Sequence, residues 1–449
     1  MRSGPGVRVI LDVRPLQDPE RAPIASAYLG GLLGAYDAAP LTGESFALLL
    51  LSDLDDPTVP YSGWEVVGRR LLPPTGWLRS VAQTVDPFLL RGASIGAAWR
   101  PERGGARGAV YHAVGAGTLP IGSSLPVVVT VLDLAPWESP GTFAATPGTR
   151  FGQRLRGKLL RRAAAVVVGT EAVARDLRRL VHVRSERIRV VPLAPRSEFT
   201  MDRSGGLDDS GDIVHLGLPS RNLVPPGRCD ARQDLGTLLR ALADLTTAGR
   251  PSELPAAVPW PPRVLLVGAS PDDRAALARS AARYGVGSAL AYAPALSPTR
   301  LAGLLRHARA SLLPVRSESA GLSAIETIAC GTPVVASAVG ALPEIIGTAG
   351  LLVEPRDPAR LAAALRTIWL DDRLHGRLAA AARARAIEPR TWRDVADETR
   401  EIYGQVGIAR ARRPPAVVRG GRSYGLGAGD GPVKGDGLGV AAPGSVPAL

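Results

Sequence analysis

The sequence of 449 residues is poor in cysteine and histidine and has no long apolar run. Two cysteines, Cys229 and Cys330, exclude a disulfide framework and a cysteine-rich metal site. The five histidines are scattered without a zinc-ligand spacing, so a zinc enzyme is not expected. No apolar run approaches the roughly 18 residues of a membrane-spanning helix, which argues against an integral membrane protein. The N-terminus lacks a secretory-signal pattern, so a cytoplasmic protein is the expectation.

Lysine is almost absent, and the positive charge comes from arginine. Lys158 and Lys434 are the only lysines among 54 basic residues, and the formal net charge is +13. Residues 150–162 carry six basic residues and no acid, and residues 407–449 carry a net +4, so these segments hold +10 of the +13. The charge favours phosphate-bearing partners. Because it is confined to two segments without interleaved aromatics, a nucleic-acid partner is not expected.

Short apolar runs alternate with helical stretches on both sides of a polar, Gly-rich break, which is typical of doubly wound α/β sheets. The strands predicted in the first half are Val7–Val13, Phe46–Leu51, Ala109–His112, Pro126–Val131, Ala165–Gly169 and Arg187–Pro192. Those predicted in the second half are Asp212–Gly217, Arg263–Gly268, Ala289–Ala293, Ala310–Pro314, Pro333–Ser337 and Gly350–Val353. We therefore expect two Rossmann-like domains that face a central cleft, where a ligand binds.

Composition indicates a linker and a disordered tail. We expect a first domain over residues 1–199, a linker over 200–211, a second domain over 212–387, a terminal helix over 388–406 and a disordered tail over 407–449. The tail prediction rests on its 11 Gly and 5 Pro without a repeating period, a composition that buries too little apolar surface to fold.

The stretch from Ala310 to Leu352 contains the residues most indicative of ligand binding. A buried strand, a polar loop and a short helix follow one another, with Glu318 in the loop and Glu326 about a turn into the helix. Both carboxylates can therefore face the cleft and accept hydrogen bonds from hydroxyl groups. The amides around Gly321 and Leu322 stand at the helix N-terminus, which favours a phosphate. The arrangement suits a sugar nucleotide, with these four residues as candidate ligands.

This stretch resembles the Glu-x7-Glu signature of retaining glycosyltransferases of family 4, which have the GT-B fold. Glu318–Glu326, Gly-Thr-Pro-Val-Val-Ala-Ser at 331–337 and Gly-Ala-Leu-Pro-Glu at 340–344 carry the resemblance, which extends over most of residues 7–406. It implies a hexosyltransferase that moves a sugar from a GDP- or UDP-linked donor to a hydroxyl acceptor with retention. It also implies that the second domain binds the donor nucleotide, that the first domain binds the acceptor, and that the terminal helix 388–406 crosses back onto the first domain. A glycan, a glycolipid or a polyprenyl-linked acceptor fits, and the resemblance implies neither a metal nor a cofactor.

By the same resemblance, Glu318 contacts the donor sugar and is the catalytic candidate, and Glu326 binds ribose hydroxyls. Arg232 matches the family's phosphate-binding arginine, whereas Gln233 stands where a lysine is usual. Either nearby Arg228 replaces that lysine, or stabilisation of the phosphate is weakened.

In the first domain, Leu132-Asp133 stands where the family often has His-Asp, so Asp133 either binds the acceptor or caps a turn. The changes at Leu132, Gln233 and Pro23 leave open a non-catalytic GT-B protein that acts as a binding or scaffolding subunit. A nucleotide-sugar epimerase or a sugar phosphorylase is a further alternative.

A basic helix is predicted over residues 150–162. Phe151, Leu155 and Leu159 recur on one face beside the basic residues. One interpretation is peripheral contact with anionic lipid at the inner membrane face, or with a polyprenyl-phosphate acceptor. The other is an ordinary surface helix that packs its apolar stripe on the sheet.

Overall fold

Two parallel β-sheets organise the protein. The computed structural model describes residues 6–72, 108–120, 125–201, 221–226 and 232–411, all within one compact unit, Met1–Arg412. The strands of the first sheet are β1 (Val7–Asp12), β2 (Ser45–Leu51), β3 (Val66–Leu72), β4 (Gly108–Val114), β5 (Val127–Thr130), β6 (Ala165–Val168) and β7 (Ile188–Val190). Those of the second sheet are β8 (Leu223–Val224), β9 (Val264–Val267), β10 (Leu290–Ala293), β11 (Ala310–Leu313), β12 (Val334–Ser337) and β13 (Gly350–Val353). The first sheet has the strand order β3-β2-β1-β4-β5-β6-β7 and the second the order β10-β9-β8-β11-β12-β13.

Helices connect the strands and cover both sheets. Strands such as β2, β6 and β11 are therefore buried along their whole length. The helices before the second sheet are α1 (Arg14–Gln17), α2 (Pro23–Ala38), α3 (Ala135–Glu138), α4 (Pro140–Phe143), α5 (Pro147–Arg162) and α6 (Glu171–Asp176). The later helices are α7 (Leu235–Thr247), α8 (Pro271–Arg283), α9 (Pro298–His307), α10 (Leu322–Ala329), α11 (Leu342–Ile346), α12 (Pro358–Leu370), α13 (Asp372–Ala386) and α14 (Trp392–Ala411). Within the described ranges, none of these helices is both long and apolar enough to cross a membrane.

Several sequence expectations need correction. Strand β3 was missed because most of its residues are exposed at the sheet edge, and β8 because it has only two residues. Phe199 is buried against apolar side chains of the second domain, so the chain joins that domain earlier than predicted. Residues 407–411 extend α14 and do not belong to a disordered tail, since Gly407 packs against the first sheet. The predicted strand Asp212–Gly217, most of the linker and residues 412–449 lie outside the described residues.

The terminal helix α14 packs on the first domain through aromatic and charged side chains. The ring of Trp392 meets that of Tyr28 edge-on, with 5.7 Å between centroids. The guanidinium of Arg400 donates to both carboxylate oxygens of Glu44 at 2.9–3.1 Å, and both side chains are buried. The chain therefore returns to the first domain after it completes the second.

A buried polar network lies beneath α14. His112 is fully buried, with Nδ1 2.6 Å from the Tyr403 hydroxyl and Nε2 2.9 Å from the Thr130 hydroxyl. Because Thr130 donates its own proton to the Tyr28 hydroxyl, Nε2 of His112 must carry a proton and Nδ1 must accept one from Tyr403. The neutral imidazole satisfies every partner. Burial lowers the pKa of His112 to about 3.

Acid should destabilise the fold through His112. Its folded-state pKa lies below the unfolded value of 6.5, so its stabilising contribution is complete above about pH 6.5 and is lost as the pH falls toward 3. This one group should lower the free energy of unfolding by about 1.4 kcal/mol per pH unit in that window. Urea unfolding of wild type and His112→Gln checks this, with a shallower acid slope expected in the variant. Equal slopes, or a histidine NMR titration without a residue that stays neutral at about pH 5, would contradict it.

Candidate functional site

Two glycines shape the loop between β11 and α10. Gly321 has φ +66°, in the left-handed region, and a Cβ there would collide with Ile345. Gly340 has φ +51°, and a Cβ there would collide with the carbonyl oxygen of Glu318. That same oxygen accepts a hydrogen bond from the Ala341 amide at 2.9 Å. The backbone of Glu318 is therefore fixed between the start of α10 and the loop before α11.

The carboxylate of Glu318 closes the N-terminus of α10. Its Oε1 accepts hydrogen bonds from the amides of Ala320 at 3.1 Å and Gly321 at 2.8 Å. The Gly321 amide is thus occupied in this structure, so a phosphate there would have to displace the Glu318 carboxylate, and the assignment of Gly321 to the donor stays a prediction. Burial raises the pKa of Glu318, because desolvation outweighs these two hydrogen bonds and the charge of Arg232.

The next two amides of α10 are available to a ligand. Among the described residues, neither the Leu322 amide nor the Ser323 amide has a hydrogen-bond acceptor. Both residues line the cavity described below. Unpaired amides at a helix N-terminus carry partial positive charge from the dipole, so this end of α10 favours an anion.

Glu326 lies one turn further along α10 and is paired with an arginine that the sequence interpretation missed. Nε of Arg196 donates to Oε1 at 2.5 Å and Nη2 donates to Oε2 at 3.1 Å. Burial of Glu326 raises its pKa, and the contact with Arg196 opposes that rise. The sequence places Arg196 near the end of the first domain, six residues beyond the end of β7, where no motif marks it.

Asp133 and Arg232 form a second ion pair across the domains. Nη2 of Arg232 donates to Oδ2 of Asp133 at 2.6 Å, and Oδ1 accepts from the Ala135 amide at 2.9 Å. Asp133 therefore does cap a turn, and it also holds the arginine expected at a phosphate. Gln233 forms a backbone bridge to Val315, and no described residue donates to its buried Oε1.

A cavity of about 620 Å³ lies between the two domains. Helix α2 and the loop after β5 line it from the first domain, and the loop before α7 and the start of α10 line it from the second. The charged residues that line it are Glu20, Arg21, Asp133, Arg196, Arg232, Glu318 and Glu326. The structure thus brings the predicted Glu318, Glu326, Leu322, Arg232 and Asp133 to one cavity.

Further polar contacts join the domains around the cleft. The Ser319 hydroxyl accepts from the Leu134 amide at 2.9 Å. The Glu344 carboxylate accepts from the amides of Glu171 at 3.1 Å and Ala172 at 3.0 Å, at the start of α6. The cleft is therefore bounded by contacts from both domains.

The remaining candidates divide as follows. Arg228 lies outside the described residues. On α5, Leu155 and Leu159 pack on the core, whereas Phe151 is 69% exposed. The packing interpretation of that helix therefore holds for two of the three stripe residues. Among the described residues, no three His, Cys, Asp or Glu side chains are grouped to hold a metal ion.

Similar proteins support this description. Residues 221–371 match the family described as glycosyl transferases group 1. The D-inositol 3-phosphate glycosyltransferase of Acidothermus cellulolyticus is 36% identical over 248 residues, which cover 53% of this chain and 52% of that protein. The sucrose-phosphate synthase structure from Thermosynechococcus elongatus has a TM-score of 0.67 at 23% identity, covering 89% of this chain and 98% of the other. Anabaena HepE with UDP-glucose has a TM-score of 0.63 at 16% identity, covering 89% and 99%.

These similarities confirm the predicted GT-B fold and place a glycosyltransferase group 1 domain in the second half of the chain. The chain spans about half the length of the curated relatives it matches. Membership of family 4 and retention of configuration stay predictions.

The ion pair with Asp133 should compete with any anion for Arg232. Both side chains are about one-third exposed, so the pair contributes roughly 1 kcal/mol or less. Asp133→Asn should therefore strengthen binding of inorganic pyrophosphate by about 2–5-fold, since the asparagine no longer holds the guanidinium. Titration calorimetry measures this, with Asp244→Asn on α7 as the control. Unchanged or weaker binding to Asp133→Asn would show that Arg232 does not face the anion.

Proposed function

We propose that the protein transfers a hexose-type sugar from a UDP- or GDP-linked donor to a hydroxyl of an acceptor bound in the cleft. The observation that carries this proposal is that Glu318 and Glu326 line one cavity with the amides of Leu322 and Ser323, for which no described residue supplies an acceptor. The carboxylates suit hydroxyl groups and the helix end suits a diphosphate. The group 1 glycosyltransferase match covers the same residues.

In the proposed reaction, the acceptor oxygen bonds to the anomeric carbon as the bond from that carbon to the diphosphate oxygen breaks. The departing diphosphate gains negative charge, which the Leu322 and Ser323 amides and Arg232 are placed to stabilise. The acceptor proton passes to the departing phosphate, so no protein nucleophile is required. This front-face course gives retention.

Glu318 is proposed to hold a donor-sugar hydroxyl through Oε2. Its Oε1 is occupied by two amides, whereas no described residue donates to Oε2. The amides fix the carboxylate in place before the donor arrives, so little ordering is needed at the moment of reaction.

A phosphorylated polyol of the inositol phosphate class is the acceptor we propose. Support comes from the relatives named D-inositol 3-phosphate glycosyltransferases. On the first-domain side of the cavity, Arg21 supplies a cation for an acceptor phosphate. Glycan, glycolipid and polyprenyl-linked acceptors are the alternatives in the same assay.

Loss of the Glu318 charge should abolish transfer without unfolding the protein. Glu318→Gln keeps an oxygen for the two amides but removes the carboxylate, so transfer should fall by about 100-fold or more while thermal unfolding is unchanged. Glu318→Ala should also lose transfer, and it should be less stable by about 1–3 kcal/mol because two amides lose their acceptor.

The assay is a screen of UDP-, GDP- and ADP-sugars with the candidate acceptors, analysed for glycosylated product. Exposed Glu388→Gln serves as the matched control. Wild-type turnover by Glu318→Gln would overturn the site assignment. If wild type binds no nucleoside diphosphate by calorimetry, the scaffolding alternative replaces the transferase.

Peripheral contact with an anionic membrane is proposed for the exposed face of α5. Phe151 projects from this helix, and Arg154 and Lys158 are exposed beside it. Wild type should sediment with vesicles that contain about one-third anionic lipid. The triple variant Phe151→Ser, Arg154→Gln, Lys158→Gln should stay in the supernatant. Equal cosedimentation with neutral vesicles, or no difference between the proteins, would remove this proposal.

A further inference from the structure

Arg196 stands at the point where the chain passes between the domains. The residues just before it, Leu193 and Ala194, are buried in the first domain, and Phe199 is buried in the second. Its guanidinium lies 4.7 Å from the centre of the Phe199 ring and forms the two hydrogen bonds to Glu326. A ring face and a carboxylate edge thus fix the plane of the guanidinium.

The contact leaves part of the Glu326 carboxylate available. The carboxylate can accept about four hydrogen bonds; the Arg196 guanidinium makes two of them, and the Arg196 backbone amide also interacts with it. Glu326 also lines the cavity, so its remaining acceptor capacity can serve hydroxyls of a ligand. Arg196 can therefore orient the Glu326 carboxylate and still leave room on it for a ligand hydroxyl.

The charge of Arg196 also favours the ionised form of Glu326. Glu326 is only 4% exposed, and desolvation alone would favour the protonated acid, a poorer acceptor for two hydroxyls. The charged groups that act on it are Arg196, which favours the carboxylate, and Glu198, which opposes it. Since a guanidinium stays protonated at every physiological pH, Arg196 maintains this effect throughout.

We propose that Arg196 is a positioning residue that keeps Glu326 ionised and oriented to accept the ribose hydroxyls of the donor. This inference rests on the proposed function and adds a residue to it. An interaction that holds the nucleoside equally in the ground state and the transition state changes KM and leaves kcat nearly unchanged.

The test is the pH dependence of donor KM in wild type, Arg196→Met and Arg196→Lys. In Arg196→Met, KM should rise about 10–100-fold at about pH 6 and recover as the pH rises, because Glu326 then ionises at higher pH. The midpoint of its KM–pH profile should lie about one pH unit or more above the wild-type midpoint, because one close opposite charge shifts a carboxyl pKa by about that amount. Arg196→Lys should remain within about 5-fold of wild type, since the ammonium keeps the charge but not the fork.

Exposed Arg240→Met on α7 is the matched control, and thermal unfolding checks the fold of every variant. Glu318 is present in all of them, so its titration affects every profile alike. A loss independent of pH, or a loss confined to kcat, would overturn the positioning role of Arg196. A wild type that neither binds nor turns over any nucleotide sugar would instead refute the proposed function.

Discussion

Two ion pairs govern which groups of the cleft a ligand can reach. Arg232 holds Asp133, and Arg196 holds Glu326. In the first pair, the Asp133 carboxylate occupies the arginine that is expected to bind phosphate, so an anion must compete with Asp133 for Arg232. In the second pair, Arg196 occupies only part of the Glu326 carboxylate, so Glu326 can bind Arg196 and ligand hydroxyls at the same time. Both ion pairs are therefore formed before a ligand binds. We expect an anion to displace Asp133 from Arg232, and the contact between Arg196 and Glu326 to remain.

The charges in the cavity explain why a diphosphate would depend on the N-terminal amides of α10. Among the residues that the structure describes, four carboxylates and three guanidinium groups line the cavity, so these side chains supply no excess of cations for a diphosphate. Gln233 adds no charge where a lysine would. The amides of Leu322 and Ser323 add hydrogen-bond donors with partial positive charge, and no described residue supplies an acceptor for them.

Much of the fold could be predicted because parallel strands covered on both faces leave a strong pattern, as in β2 and β11. Edge strand β3 lacked that pattern. The return of α14 to the first domain is expected from the family resemblance, but its particular contacts with Tyr28 and His112 join residues distant in sequence. In the site, Glu318 and Glu326 could be found because one loop and one helix carry both. Arg196 could not, since its partner lies 130 residues away. The occupation of the Gly321 amide follows from a carboxylate three residues earlier, a local effect that competes with a phosphate.

A crystal structure with bound UDP or GDP would show how the cleft holds a nucleoside diphosphate. We expect phosphate oxygens within hydrogen-bond distance of the Leu322 and Ser323 amides, ribose hydroxyls on Glu326, and Arg196 still paired with that carboxylate. A nucleotide bound elsewhere on the protein, or one in the cleft that leaves Glu326 and the start of α10 untouched, would contradict this expectation.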